Sequence, residues 1–138
     1  MGTVIRADIS QKNKYWIDKH RYYELKHFCL QYPIWKKAYS SLDSLSNRPA
    51  DLAAIRSTNL SDPTAKCAEA KLYYSERMKL VEQAAIESDP DLFDYILKGV
   101  TEERSYDYLK TNLGIPCSRD TYYDRYRKFF WILNRTRN

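Results

Sequence analysis

Apolar residues recur along this chain at steps of three and four, which is the period of one face of an α-helix. The first such stretch predicts a helix over residues 15 to 31, and the next predicts a helix over residues 34 to 45. Proline disfavours the α conformation in the residue before it, so Tyr32-Pro33 is expected to separate the two helices. The residues predicted to face inward are Tyr22, Leu25, Phe28, Cys29 and Tyr32 in the first helix, and Ile34, Trp35, Ala38 and Leu42 in the second.

Two Asp-Pro pairs mark the starts of later helices, because aspartate caps free backbone N–H groups and proline suits the first helical position. Asp62-Pro63 opens the longest predicted helix, which reaches residue 87, and Asp89-Pro90 opens a short one that reaches residue 98. Gly99 is a candidate C-cap for the short helix. The long helix carries an apolar stripe that predicts packing against another helix, formed by Tyr74, Met78, Val81 and Ala85 and flanked by Leu72, Leu80 and Ala84.

Two further helices are predicted over residues 102 to 113 and 119 to 134. The chain has only three glycines and five prolines, which is too few for a protein built of strands and tight turns. We therefore expect an all-α fold of about six helices with a long central helix. Residues 1–14 are expected to form a flexible leader, and polar residues 44–63 a loop with a candidate helical turn over 50–55. Residues 15–100 would form a helical region suited to oligomerisation or partner binding, and residues 101–138 a DNA-binding region.

The last two predicted helices have the sequence pattern of a helix-turn-helix. Gly114 can take the left-handed conformation that the turn requires, Ile115 is expected to fill the junction, and Ser118 is a good N-cap. The first helix would present Tyr106, Leu109 and Leu113 to the junction. The turn is longer than the tightest version and contains a proline, and an ordinary helical hairpin with a basic second helix remains an alternative.

Spacing divides the second of these helices into two faces. The inward residues are predicted to be Tyr122, Tyr126, Phe129, Phe130 and Leu133. By subtraction, the outward residues, which we call the reading face, are Arg119, Asp120, Tyr123, Asp124 and Arg127. Arginine there could pair with guanine and aspartate could accept from cytosine, while flanking basic residues would neutralise phosphates. The candidate DNA-binding residues are therefore Ser118, Arg119, Asp120, Thr121, Tyr123, Asp124, Arg125, Arg127 and Lys128.

Charge is distributed unevenly along a chain whose net charge is +5. Basic residues are in excess before residue 40 and again from Arg119 onward, where the second excess coincides with the candidate recognition helix. Residues 87–107 are acidic, with only Lys98 and Arg104 as basic residues among them. Solvated basic faces without a nucleic-acid partner are the alternative interpretation of the two basic blocks.

Nothing in the sequence indicates an enzyme, a cofactor or a metal site. The three cysteines are odd in number, far apart and not arranged as a disulfide framework, which suits a reducing compartment. His20 and His27 could share a helix face with Glu24, but nothing completes a metal site, so surface histidines are the better interpretation. No apolar run approaches the roughly 18 residues of a membrane span. We expect a cytoplasmic protein.

Four segments of the chain resemble a known family, the small RinA-type phage and prophage transcriptional regulators of Gram-positive bacteria, to which the ArpU-type regulators are related. The segments cover residues 23–37, 62–66, 80–87 and 115–130, and the last is the most distinctive. The resemblance implies a phage-encoded activator of late, packaging or lysis genes. It also implies a C-terminal helix-turn-helix of the kind found in sigma-factor region 4, double-stranded DNA as partner, association with the nucleoid of the bacterial host, and no catalysis. Because an activator must contact RNA polymerase, the acidic residues 87–107 are a candidate for that contact.

Two other functions are compatible with the same sequence. A small terminase subunit also joins a helix-turn-helix to a helical oligomerising region, but it assembles into a ring and serves DNA packaging. A helical adaptor would bind a host protein such as RNA polymerase without touching DNA, and thirteen tyrosines with three tryptophans leave material for such an interface. The sequence does not distinguish activation from repression or antitermination.

Overall fold

The computed structural model describes residues 12–46 and 63–137, and these residues are all-helical, with no strand among them. The helices, numbered in chain order, are α1 (Lys19–Leu30), α2 (Tyr32–Ser46), α3 (Pro63–Ser88), α4 (Phe93–Glu102), α5 (Tyr106–Leu113) and α6 (Arg119–Thr136). The predicted all-α class is therefore confirmed, as is the long central helix, since α3 contains 26 residues. Most of the predicted leader and of the predicted 44–63 loop, including the candidate turn at 50–55, lies outside the described residues.

Local capping sets where several helices begin. Asp18 accepts a hydrogen bond from the backbone N–H of His20, so α1 starts at Lys19 instead of the expected residue 15. Ser105 caps α5 in the same way by accepting from the N–H of Tyr108, so α5 starts at Tyr106, four residues later than the expected start at 102. Asp89 accepts from the N–H groups of Asp91 and Leu92 and forms a turn, and α4 begins only after that turn.

The described residues divide into two compact units. The first unit contains the described residues up to Tyr32 and those from Leu80 onward, and the second contains those between Pro33 and Lys79. The expected division instead placed residues 15–100 in one region and 101–138 in another. The difference arises because α1 packs against both α4 and α6, which joins the start of the chain to its end.

The core of the first unit is rich in aromatic side chains. Tyr22 of α1 packs its ring 5.0 Å from that of Phe130 in α6, and its hydroxyl lies 3.0 Å from that of Tyr126. Burial confirms the predicted inward residues of α1, and it confirms the predicted inward row of α6. Val81, Ala84 and Ala85 from the end of α3 complete this core. Burial of so much aromatic surface is the main source of stability of such a unit.

The C-terminal end of α6 is held by α1. The Arg21 guanidinium donates to the side-chain oxygen of Asn134 at 2.7 Å and to the backbone carbonyl of Arg137 at 2.5 Å. The second of these bonds satisfies a carbonyl beyond the helix end, which has no partner within the helix. The last turn of α6 is thus attached to the first helix of the chain.

The second unit pairs α2 with the first part of α3. Lys71 donates to the carboxylate of Asp43 at 3.0 Å and lies over the ring of Tyr39, while Trp35 is buried. Ile34 was expected to face inward, and this prediction is wrong because its side chain is 66% exposed. The spacing of apolar residues locates the inward face of a helix only to within about one residue. The neighbouring Trp35 occupies the inward position here.

The expectation that Gly99 caps α4 is also wrong. Gly99 is a buried residue inside α4, and the helix ends at Glu103, which adopts the left-handed conformation with φ 57°. A Cβ atom at position 99 would lie 2.1 Å from the hydroxyl oxygen of Tyr122 in α6. The glycine is required for close approach of α4 and α6, not for the helix end.

Candidate DNA-binding surface

The turn between α5 and α6 has the local geometry expected of it. Gly114 adopts the left-handed conformation with φ 65°, and its N–H donates to the carbonyl of Lys110 at 3.2 Å. The N–H of Ile115 donates back to the carbonyl of Leu109, and the Ile115 side chain is buried. Ser118 accepts from the N–H of Thr121 at 3.2 Å and caps α6. These three expectations are confirmed.

The contact between the two helices differs from the expected one. Leu113 was expected to face the junction, but its side chain is 40% exposed, so this prediction is wrong. Tyr106 and Leu109 were also expected there, and both are buried, so this part of the prediction is confirmed. Tyr106, at the start of α5, makes the contact with the turn and with α6. Its hydroxyl donates to the carbonyl of Cys117, and its ring centroid lies 5.9 Å from that of Tyr122. The large Tyr106 side chain fills the space that a longer turn opens between the helices.

Tyr123 does not belong to the reading face. Its side chain is buried, and its hydroxyl oxygen accepts a hydrogen bond from the backbone N–H of Tyr106 at 3.3 Å. The prediction that Tyr123 faces outward is therefore wrong. The buried arc of α6 is wide because the helix packs against α1 and α4 and also contacts α5. Such an arc includes residues on both sides of the stripe that spacing identifies.

The other candidate residues lie at the start of α6 or along its sides. Ser118, Arg119 and Asp120 are exposed, and Thr121, Asp124, Arg125, Arg127 and Lys128 are partly exposed. The first residues of the helix are therefore the most exposed of the candidates, while those of the next two turns are partly buried. The Nε atom of Arg127 is buried without a hydrogen-bond partner among the described residues.

Arg125 has a structural role that the sequence did not indicate. Its Nε donates to Asp89 at 3.0 Å, and its Nη1 contacts the carboxylate of Asp124. The hydrogen bond to Asp89 raises the pKa of the Arg125 guanidinium. Because the same Asp89 carboxylate also closes the turn before α4, Arg125 connects α6 to that turn. Its charge is matched by neighbouring carboxylates, which leaves less of it to attract phosphate than was expected.

Four of the seven carboxylates in the acidic stretch 87–107 form ion pairs with basic residues of the same unit. Glu103 pairs with Lys26 at 3.1 Å, Glu102 with both Lys98 and Arg104, and Asp107 with Arg119 at 2.9 Å. Asp107, which spacing did not mark as part of the site, is thereby brought next to the first residue of α6. No local pattern links residues 107 and 119, so a single sequence gives little signal for this pair.

Burial shifts the titration of several groups around the candidate surface. It raises the pKa of Tyr122 and raises that of Tyr126 well above its usual value, and it raises the pKa of the Cys117 thiol in the turn. These groups therefore stay neutral at physiological pH. The charge of the surface comes from its arginines, lysines and carboxylates alone.

Other classes of site were searched within the described ranges. No group of three or more potential metal ligands occurs there, and His20 and His27 are both exposed. No helix of the described segments has the length and apolar character needed to cross a membrane. Comparison of the chain with protein-family models, with curated proteins and with solved structures gave no match.

Proposed function

We propose that this protein is a sequence-specific regulator of transcription that binds double-stranded DNA through α5, the turn and α6. The observation that carries the proposal is the exposed first turn of α6, capped by Ser118 and presenting Arg119 and Asp120 in front of a fully buried aromatic row. A recognition helix inserts its N-terminal residues into the major groove in this way. A bound phosphate would also be favoured near the helix N-terminus, where free N–H groups and the helix dipole are located.

Charge around this turn supports the same function. Lys110 projects from the last turn of α5, and Arg127 and Lys128 follow on α6. Within the described part of the chain, no carboxylate lies within ion-pair distance of Lys110 or Lys128. Basic side chains in such positions can neutralise phosphates, which is the largest source of affinity in most protein–DNA complexes. The two aspartates of the reading face would disfavour indiscriminate binding, which supports sequence reading.

The resemblance to RinA-type regulators gives the proposal its biological setting. Activation of phage late genes, binding near the protein's own gene, a contact with host RNA polymerase and association with the nucleoid are parts of the proposal. The polymerase contact has less support at residues 87–107 than the sequence indicated, because four of the seven carboxylates there are paired within the unit.

The proposal is tested with the full chain and a randomised duplex library. We expect selection of a preferred sequence and a binding constant that falls steeply with salt. Arg119→Ala and Lys110→Ala should each weaken binding and reduce the steepness of the salt dependence. Lys37→Ala, which removes an exposed lysine of the second unit, is the matched control and should change neither.

Two results would redirect the proposal. Absence of salt-dependent binding to any duplex, up to roughly the micromolar range of nonspecific DNA binding, would exclude it and favour the helical adaptor. Assembly into a large closed ring in native mass spectrometry, together with DNA binding, would favour a small terminase subunit.

A further inference from the structure

The environment of Arg119 is unusually ordered for a surface arginine. Its Nη2 atom donates to the carboxylate of Asp107 at 2.9 Å. Its guanidinium carbon lies 5.7 Å from the ring centroid of Tyr106 and 5.8 Å from that of Tyr123. The two tyrosines are buried and hydrogen-bonded to the chain, so they form a rigid support. An arginine on such a support loses less rotamer freedom on binding than one in open solvent.

Arg119 nevertheless stays partly exposed to solvent. Its side chain is 43% exposed, and that of Asp107 is 67% exposed. The pair differs in this respect from Arg125 and Asp89, where the carboxylate is only 17% exposed and also closes a turn. The first pair is placed to act on a ligand, and the second pair holds two elements together.

We propose that Asp107 is a positioning residue that holds the Arg119 guanidinium in the orientation needed to read a guanine in the major groove. This inference rests on the proposed DNA-binding function and adds a specificity determinant from α5 to it. Arginine reads guanine through two parallel hydrogen bonds to O6 and N7, and this geometry tolerates little rotation of the fork. The Asp107 contact and the two rings would fix that rotation before DNA arrives.

The carboxylate has a second consequence, of opposite sign. Asp107 offsets the charge of Arg119 and would itself be repelled by the DNA backbone, so it lowers affinity for any duplex regardless of sequence. Asp107 thus lowers the affinity for any duplex and raises the selectivity for guanine. A purely structural role of Asp107 would not produce this combination, and the combination can be measured.

The central test compares Asp107→Asn with the wild-type chain on the duplex selected from the randomised library and on a scrambled duplex of equal length. We expect the preference for guanine at one position of each site to fall by about fivefold or more, since one bidentate pair contributes about that much discrimination or greater. Affinity for the scrambled duplex should rise. The slope of its log binding constant against log salt concentration should become steeper, by an amount that corresponds to about one more released counterion.

Three further variants complete the design. Asp107→Glu keeps the charge and should restore much of the guanine preference. Arg119→Lys keeps the charge but removes the fork, so it should lose the preference without changing the salt dependence. Glu102→Gln is the charge-matched control. It removes the carboxylate that pairs with Lys98 and Arg104, which lie outside the reading face, so the guanine preference should not change. Thermal unfolding verifies that each variant is folded.

The possible results separate this inference from the function on which it rests. If the wild-type chain selects a sequence but Asp107→Asn or Arg119→Lys keeps the full guanine preference, the positioning role is excluded and DNA binding stands. An equal loss in Glu102→Gln would also exclude it, because a general charge effect would then explain the result. If the wild-type chain binds no duplex, both proposals fail.

Discussion

Gly99 and Tyr122 approach so closely that a single methyl group at position 99 should destabilise the first unit. The added Cβ atom of Gly99→Ala would lie 2.1 Å from the Tyr122 hydroxyl oxygen, well inside van der Waals contact. Tyr122 is fully buried among Tyr106, Tyr123 and Tyr126, so its ring has little room to move. Overpacking of this kind costs about 1–3 kcal/mol, and so severe an overlap belongs at the upper end of that range.

The net effect is smaller than the overlap alone, because alanine favours a helix over glycine by about 1 kcal/mol. We therefore expect Gly99→Ala to lower the free energy of unfolding by about 2 kcal/mol. Tyr122→Phe removes the hydroxyl that causes the overlap. That hydroxyl is buried without a hydrogen-bond partner in the described part of the chain, so its removal should change stability by less than about 1 kcal/mol.

The double variant distinguishes this explanation from a general sensitivity of α4. Without the hydroxyl, the next atom of the Tyr122 side chain is 3.4 Å from the added Cβ, which is an acceptable contact. In the Tyr122→Phe background, Gly99→Ala should therefore stabilise by about 1 kcal/mol, which gives a coupling energy of about 3 kcal/mol. Urea unfolding followed by far-ultraviolet circular dichroism measures all four proteins. Equal effects of Gly99→Ala in both backgrounds would refute the overlap as the cause.

Two further predictions concern the cap of α6 and the buried tyrosines. Ser118→Ala should lower the free energy of unfolding by about 1 kcal/mol, because the Thr121 N–H loses its acceptor. Ser118→Asp should keep most of the wild-type stability in the same urea assay, because aspartate is also a good N-cap. Stability should fall as pH rises above about 10, because burial raises the pKa of Tyr22 to about 12 and the unfolded chain releases the proton first. Tyr22→Phe should reduce that fall in alkaline urea titrations, and an identical pH profile for both proteins would contradict the assignment.

Local signals in the sequence were the most reliable guide to this fold. The turn before α6 could be predicted because the residues that form it interact with close neighbours along the chain; these residues are Gly114, Ile115 and Ser118. Helical period likewise identified the buried residues of α1 and the inward row of α6. Helix starts were less accurate, because Asp18 and Ser105 compete with neighbouring residues that could cap equally well.

The wrong predictions have a common cause in contacts between residues distant along the chain. Tyr123 faces inward because it meets Tyr106, and Gly99 is needed because it meets Tyr122 in another helix. Arg125 is matched by Asp89, which lies 36 residues earlier. Periodicity describes one helix at a time and carries no information on which helix packs beside it. The reading face could therefore be located from the sequence only in part.

The attachment of α6 to α1 through Arg21 has a consequence for engineering. Residues 101–138 are not an autonomous module, because Phe130 packs its ring against Tyr22, the Tyr126 hydroxyl contacts the Tyr22 hydroxyl, and α4 covers Tyr122. Grafting this segment onto another scaffold would expose that aromatic surface to water. The proposed DNA specificity is better altered by replacing outward side chains at the start of α6 within the intact chain.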